Sequence, residues 1–164
     1  MTDLSPLVAD AASLLALCRD RQLTIATAES CTGGLVAGAL TEIAGSSEVV
    51  DRGFVTYSNA AKMALLGVPE AVLEAHGAVS RQTAEAMAQG ALARSGVDLT
   101  VAITGVAGPG GGSADKPVGL VHFAAAAKDG RLLHREKRYG DVGRSEVRRL
   151  SVLEALSLLL ELAS

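Results

Sequence analysis

Ser30, Lys62, Tyr57 and Thr104 are the residues whose types and surroundings fit nucleophilic chemistry in this chain. Ser30 lies in the run from Thr24 to Gly34 (TIATAESCTGG), where an alternating pattern stops at a serine, a cysteine, a threonine and two glycines. Apolar residues at helical spacing (Leu35, Val36, Ala39, Leu40) follow at once, so the run reads as strand, tight turn and helix. At such a turn the first N–H groups of the helix are expected to be unpaired. The main chain of Cys31, Thr32, Gly33 and Gly34 could then hold an anion or a developing oxyanion. An ordinary helix-capping turn is the plainer reading of the same residues.

A serine hydroxyl needs a base before it attacks anything. None of the three histidines (His76, His122, His134) falls at a predicted strand end, whereas Lys62 sits in the first helical turn after a strand that ends at Tyr57-Ser58-Asn59. To accept a proton near neutrality a lysine must have its usual pKa of about 10.4 lowered, which burial or a helix N-terminus would do. A Ser–Lys pair with Tyr57 or Thr104 relaying or orienting the proton is one variant of triad logic. The plainer readings are a solvated lysine on a short helix and a half-buried aromatic at a strand rim.

Two further segments could bind. The glycine-rich run from Gly105 to Ser113 (GVAGPGGGS), with Gly105 and Gly108, ends without the Gly-Lys-Ser/Thr of a phosphate-binding P-loop and does not open a helix directly. It reads as a backbone surface that a flat ring or a phosphate can approach closely, or as a flexible surface loop. Asp141, Arg144, Arg148 and Arg149 cluster at the start of the last helical pattern, where Arg144 could hold a substrate phosphate.

The elements that must position these groups follow from periodicity. A helix is expected from Ser5 to Cys18, with Ser5 as N-cap, Pro6 at its first position and Leu7, Val8, Ala11, Leu14, Leu15 and Cys18 inward. A strand over 23–29, a helix over 33–42, a strand over 49–57 and a helix over 60–66 come next, then a short helix to His76 and a longer one capped by Ser80. Leu99 to Thr104 has a buried-strand pattern. Residues 118–127 and 131–139 form strands joined by a turn at Lys128-Asp129-Gly130, and a final helix from Arg144 to Ala163 turns Val147, Leu150, Leu153, Leu156, Leu159 and Leu160 inward. Three helix-separated strands followed by a hairpin and helix predict a three-layer α/β/α sandwich with a mostly parallel mixed sheet, as one domain over residues 1–164. In such sheets ligands sit outside the carboxyl ends of the strands, where the turns bearing Ser30, Lys62 and Thr104 would converge.

Composition narrows the function. The chain has 164 residues, 49% of them apolar, and a net charge of -3, which gives no basic field for nucleic acid. Two Tyr, two Phe and no Trp leave little to stack on bases. Cys18 and Cys31 are too few for a disulfide framework or a zinc cluster, so no metal is expected and a reduced, cytoplasmic setting fits. The first residues, Met1 to Pro6, carry neither a basic region nor a long apolar core, and no membrane segment is expected.

Six ordered stretches, 28–34 (AESCTGG), 45–47 (GSS), 53–59 (GFVTYSN) with Lys62, 76–80 (HGAVS), 103–109 (ITGVAGP) and 116–119 (KPVG), together resemble the CinA C-terminal domain family. The resemblance implies an α/β/α sandwich and an amidohydrolase, one that converts the carboxamide of nicotinamide mononucleotide to a carboxylate and ammonia without a cofactor and acts as a homodimer in pyridine nucleotide recycling. It further implies Ser30 as nucleophile and Lys62 as its partner, with Tyr57 and Thr104 nearby. The family's Gly-Asp-Arg before the last helix is altered: Gly140-Asp141 is followed by Val142-Gly143 and only then Arg144. Either Arg144 still reaches the site or the phosphate contact moves to Arg148. Many members also carry a nucleotide-hydrolysing domain, and no metal-dependent pyrophosphatase is implied for this segment. A nucleotide-binding or regulatory module that keeps the pocket without turnover is the alternative, and it predicts ligand binding with no ammonia. A third reading is hydrolysis of the amide or lactam of another pyridine or nucleotide-like compound.

Overall fold

The computed structural model describes Asp3 and residues 5–164; Met1, Thr2 and Leu4, part of the stretch read above for a leader, lie outside the described residues. A 3-10 turn at Ser5–Leu7 leads into α1 (Val8–Asp20), then β1 (Ile25–Glu29), α2 (Leu35–Thr41) and, after a second 3-10 turn, β2 (Val50–Val55). The helices α3 (Asn59–Leu66), α4 (Glu70–His76) and α5 (Arg81–Ser95) precede β3 (Leu99–Gly105), β4 (Leu120–Ala127), β5 (Leu132–Arg138) and α6 (Arg144–Ala163). Ser5 does not cap the first helix. Its own N–H instead donates to Asp3 Oδ1 at 2.9 Å, and the helix proper starts after Leu7 without a side-chain cap.

The five strands run in the order β2-β1-β3-β4-β5. β1 pairs in parallel with both β2 and β3, and the β4 hairpin strand runs antiparallel to β3 and β5. From β1 the chain moves outward to β2 through α2, then returns past β1 to β3 through α3 to α5 on the opposite face. Right-handed crossovers in opposite directions force the connecting helices onto opposite faces. The direction therefore reverses between β1 and β3. That gap is the topological switch point at which open α/β sheets bind ligands.

Each face has its own core. Ile25, Val101, Ile103, Val121 and Phe123 pack against α1, α2 and α6, while Ala28, Ala102 and Ala124 pack against Met87, Ala88 and Ala91 of α5. Small side chains on the second face let α5 lie close to the sheet. Leu160, expected inward, is 38% exposed, because the inward stripe of α6 is taken by Ser151, Val152, Ala155, Leu158 and Leu162 instead. Alternation along β1 then decides directions: Ala28 faces α5, so Ser30 two residues on leaves the sheet on that side, and Glu29 faces the other way. The same parity argument sends Thr104 to the α5 side.

The carboxyl end of α3 rests directly on α5. A Cβ added at Gly90 would lie 1.9 Å from the Leu66 carbonyl oxygen, so no side chain fits there. Alanine in a helix normally stabilises relative to glycine by about 1 kcal/mol, but this overlap costs about 1–3 kcal/mol. Gly90→Ala should therefore destabilise the protein, with a urea midpoint below that of wild type, whereas a raised midpoint would show that α3 does not seat on this residue.

Candidate active site

The turn after β1 presents Ser30 through two left-handed glycines. Gly33 (φ 58°) and Gly34 (φ 103°) occupy backbone angles that other residues adopt only at a cost, and the Gly33 N–H donates to the Ser30 carbonyl at 3.0 Å. The first helical N–H groups of α2 are partly filled. Fully buried Glu29 turns its carboxylate under the helix and accepts from the N–H groups of Val36 (2.9 Å) and Ala37 (3.1 Å) and from Thr27 Oγ1. Those two donors are spent on Glu29, and Gly33 N–H on the Ser30 carbonyl, while the N–H groups of Cys31, Thr32 and Gly34 have no acceptor among the described residues. Arg148 holds the outer side of the turn, donating to the carbonyls of Cys31 (3.2 Å) and Thr32 (3.3 Å).

The second catalytic candidate comes from α3. Ser58 caps this helix by accepting from the Ala61 N–H, and Lys62 follows in its first turn. Lys62 is 1% exposed, among the most buried large side chains, and no carboxylate of the described residues lies within ion-pair distance. Its Nζ donates to the main-chain carbonyls of Thr56 (2.9 Å) and Tyr57 (3.3 Å) and lies 3.0 Å from Ser30 Oγ. Burial holds the amine below its ordinary pKa of 10.5, partly offset by the neighbouring Cys31 thiol. The two carbonyls can only accept. A neutral amine has two N–H bonds, so satisfying both carbonyls leaves its lone pair facing the Ser30 hydroxyl, which then donates. This is the arrangement of a base poised on a nucleophile.

Around this pair lies a cavity of about 280 Å³. It is lined by Ser30, Cys31, Tyr57, Asn59, Lys62, Thr104, Gly105, Gly108 and Arg144, which join there as expected. Thr32, Gly33 and Gly34 do not line it; they shape the turn behind Ser30. Arg144, at the start of α6, reaches the cavity and donates to the Gly108 carbonyl (2.8 Å) and the Tyr57 hydroxyl (2.9 Å). Arg148 is one helical turn away and is committed to the Ser30 turn, while Arg149 pairs with Glu146. The hydroxyls of Tyr57 and Thr104 bond elsewhere than to the pair: Thr104 Oγ1 donates to the Ala78 carbonyl at 2.8 Å. At Gly108 (φ 85°) an added Cβ would sit 2.6 Å from Val118, so the loop reaches the cavity only as bare backbone. The Cys31 thiol is pushed up to about 12 by burial, which keeps it protonated beside Ser30.

Val106, Ala107, Gly110 and Gly111 of the glycine-rich run line the cavity, and of its walls sequence reasoning missed only the one formed by Ala78 and Val79. Their side chains carry no chemistry, and they contribute main chain. It also missed Glu29, although a carboxylate on the buried face of a strand is itself a signal. Among the described residues no group of three or more His, Cys, Asp or Glu is placed to hold a metal, and no helix is long and apolar enough to cross a membrane.

A doubly wound sheet with a serine and a buried lysine at its switch point defines the class, and the comparisons give the family. The pattern described as "CinA C-terminal domain" matches residues 8–163, and the chain belongs to that family. It is 58% identical over 115 residues to a protein of Enterobacter agglomerans named nicotinamide-nucleotide amidohydrolase PncC, covering 70% of each chain. It is equally 58% identical, over 142 residues, to a CinA-like protein of Synechococcus, but spans only 34% of that relative's length, about a third, as with several other curated relatives. The crystal structure of the competence/damage inducible protein CihA from Agrobacterium tumefaciens superposes with a TM-score of 0.95 at 57% identity, covering 96% of both chains.

The lowered pKa of Lys62 has a consequence for stability. Between that lowered value and 10.5 the unfolded chain binds the proton that the folded protein refuses, so folding gains as pH rises through this window. Below the window both states carry the ammonium and the burial cost is present in full. The unfolding free energy of wild type relative to Lys62→Met should therefore climb with pH across the window, as read by urea denaturation, and a flat difference would contradict a depressed amine.

Proposed function

We propose that this chain is a nicotinamide-nucleotide amidohydrolase, hydrolysing the carboxamide of nicotinamide mononucleotide to nicotinate mononucleotide and ammonia. The observation that carries the reading is Ser30 Oγ at 3.0 Å from a buried Lys62 amine with no counter-charge. The name of the Enterobacter agglomerans relative supports the substrate. Lys62 takes the Ser30 proton as Oγ attacks the carboxamide carbon, then returns it to the departing ammonia. Water attacks the resulting acyl ester with Lys62 again as base, releasing the carboxylic acid and restoring the hydroxyl. Asn59 and the bare backbone of Gly105 and Gly108 form walls for the ring. Arg144 exchanges its bonds to Gly108 and Tyr57 for the 5′-phosphate, a charge-assisted contact of the bidentate kind. Tyr57 and Thr104 act as positioning groups beside the pair. No cofactor takes part.

In this reading the 164 residues are one amidohydrolase domain that works in the cytoplasm as a homodimer and recycles pyridine nucleotides. The test is ammonia release from nicotinamide mononucleotide. Wild type should release it, with kcat/KM rising with pH as Lys62 loses its proton, the midpoint falling below 10.5. Ser30→Ala should lose activity on the order of a millionfold, the scale of a deleted serine nucleophile. Equal release by Ser30→Ala would remove Ser30 from the mechanism, and ligand binding with no release by wild type would point to a regulatory module.

A further inference from the structure

With the Val36 and Ala37 N–H groups taken by Glu29, donors for the oxyanion that forms when Ser30 adds to a carboxamide must come from other main chain bordering the cavity. The segment between α4 and α5 carries a pattern that supplies them. Its successive carbonyls are each drawn away by a side chain: His76 by Lys116, Gly77 by both Ser80 Oγ (3.0 Å) and Thr83 Oγ1 (2.7 Å), and Ala78 by Thr104 Oγ1 (2.8 Å). A trans peptide points its C=O and the next N–H in opposite directions, and these peptides are trans. Fixing the Gly77 and Ala78 carbonyls therefore fixes the N–H groups of Ala78 and Val79 on the other side. Neither N–H has an acceptor among the described residues, and both residues line the cavity.

Distance favours the same segment. The parallel register pairs Glu29 with Ile103, and the Ser30 N–H donates to the Ile103 carbonyl at 2.9 Å, so Ser30 and Thr104 are neighbours on adjacent strand ends. Adjacent strands are about 4.8 Å apart, and both side chains leave the sheet on the α5 side. The Ala78–Val79 peptide hangs one hydrogen bond beyond Thr104 and borders the same cavity as Ser30.

We propose that the main-chain N–H of Val79, with that of Ala78 beside it, is the oxyanion hole of this enzyme, and that Thr104 is the positioning residue that aims it. This rests on the amidohydrolase reading and deepens it. Ser80, Thr83 and Lys116 brace the same strip. The N–H groups wait in a fixed direction and need no reorganisation as negative charge develops.

The direct test replaces the Val79 amide by an ester, incorporating the α-hydroxy analogue of valine at that position, which deletes one N–H and leaves every side chain in place. On nicotinamide mononucleotide the ester enzyme should lose about 10²–10³ in kcat, the scale for one oxyanion donor, with KM within about threefold of wild type. Thr104→Val, close in shape, should lower kcat by at least about tenfold while Thr104→Ser restores it, and in both the acidic limb of the pH profile should stay where wild type has it, since Lys62 is untouched. An ester enzyme or a Thr104→Val enzyme with wild-type kcat overturns the proposal, as does a Thr104→Val enzyme whose acidic limb moves, which would make Thr104 a proton relay. If wild type turns over and Ser30→Ala does not, yet the ester enzyme matches wild type, the oxyanion assignment alone fails. If wild type releases no ammonia, both readings fall together.

Discussion

Everything in this molecule that bears on chemistry depends on an amine buried without a counter-charge. Placing an ammonium in such a site costs several kcal/mol, and proteins ordinarily avoid the cost by pairing the charge or by giving up the proton. Burial moves Lys62 toward the second course by lowering its pKa. Two carbonyls from the end of the preceding loop absorb its N–H bonds, and the direction left over is occupied by Ser30 Oγ. Three oxygens around Nζ suit an ammonium as well as an amine, so it is burial that favours the neutral form and lets the Ser30 hydroxyl donate. Arginine could not substitute, because its guanidinium keeps its charge.

The fold keeps these two groups together by making each end of the contact rigid for a separate reason. Ser30 is fixed by the β1 register with β3, by Glu29 beneath α2 and by Arg148 across the turn. Lys62 is fixed by the Ser58 cap and by the seating of α3 on Gly90 of α5. The alanine face of α5 permits that seating. A larger residue in either place would lift α3 and lengthen the contact between Lys62 and Ser30.

Much of this was legible in the residue pattern. The strand, the polar turn and the double glycine marked Ser30, and the Ser58 cap placed Lys62 in a first turn. The reversal of the sheet at β1 and β3 made their carboxyl ends converge, so nine of the twelve expected site residues reach one cavity. What escaped was long-range or carried by main chain. The fate of the N–H groups of α2 depended on the direction of Glu29, which strand alternation contained but which the capping pattern around Ser30 obscured. The choice between Arg144 and Arg148 depended on where α6 begins relative to the cavity, a distance that local spacing does not encode. Leu160 misled because a helical repeat of leucines is compatible with more than one buried stripe, and packing against α1 and the sheet selected the one containing Val152 and Ala155. The 76–80 segment was legible only as a motif, because the direction of peptide groups is not written in a side-chain pattern.

The central claim is that Lys62 is an uncharged amine when it meets Ser30, and titrating that amine tests it most directly. In protein labelled with ¹³C-lysine, the Lys62 Cε resonance, assigned by its loss in Lys62→Met, should titrate clearly below 10.5, apart from the surface lysines. A Lys62 signal that titrates with them, at 10.5 or above, would leave the serine without a base and contradict the account.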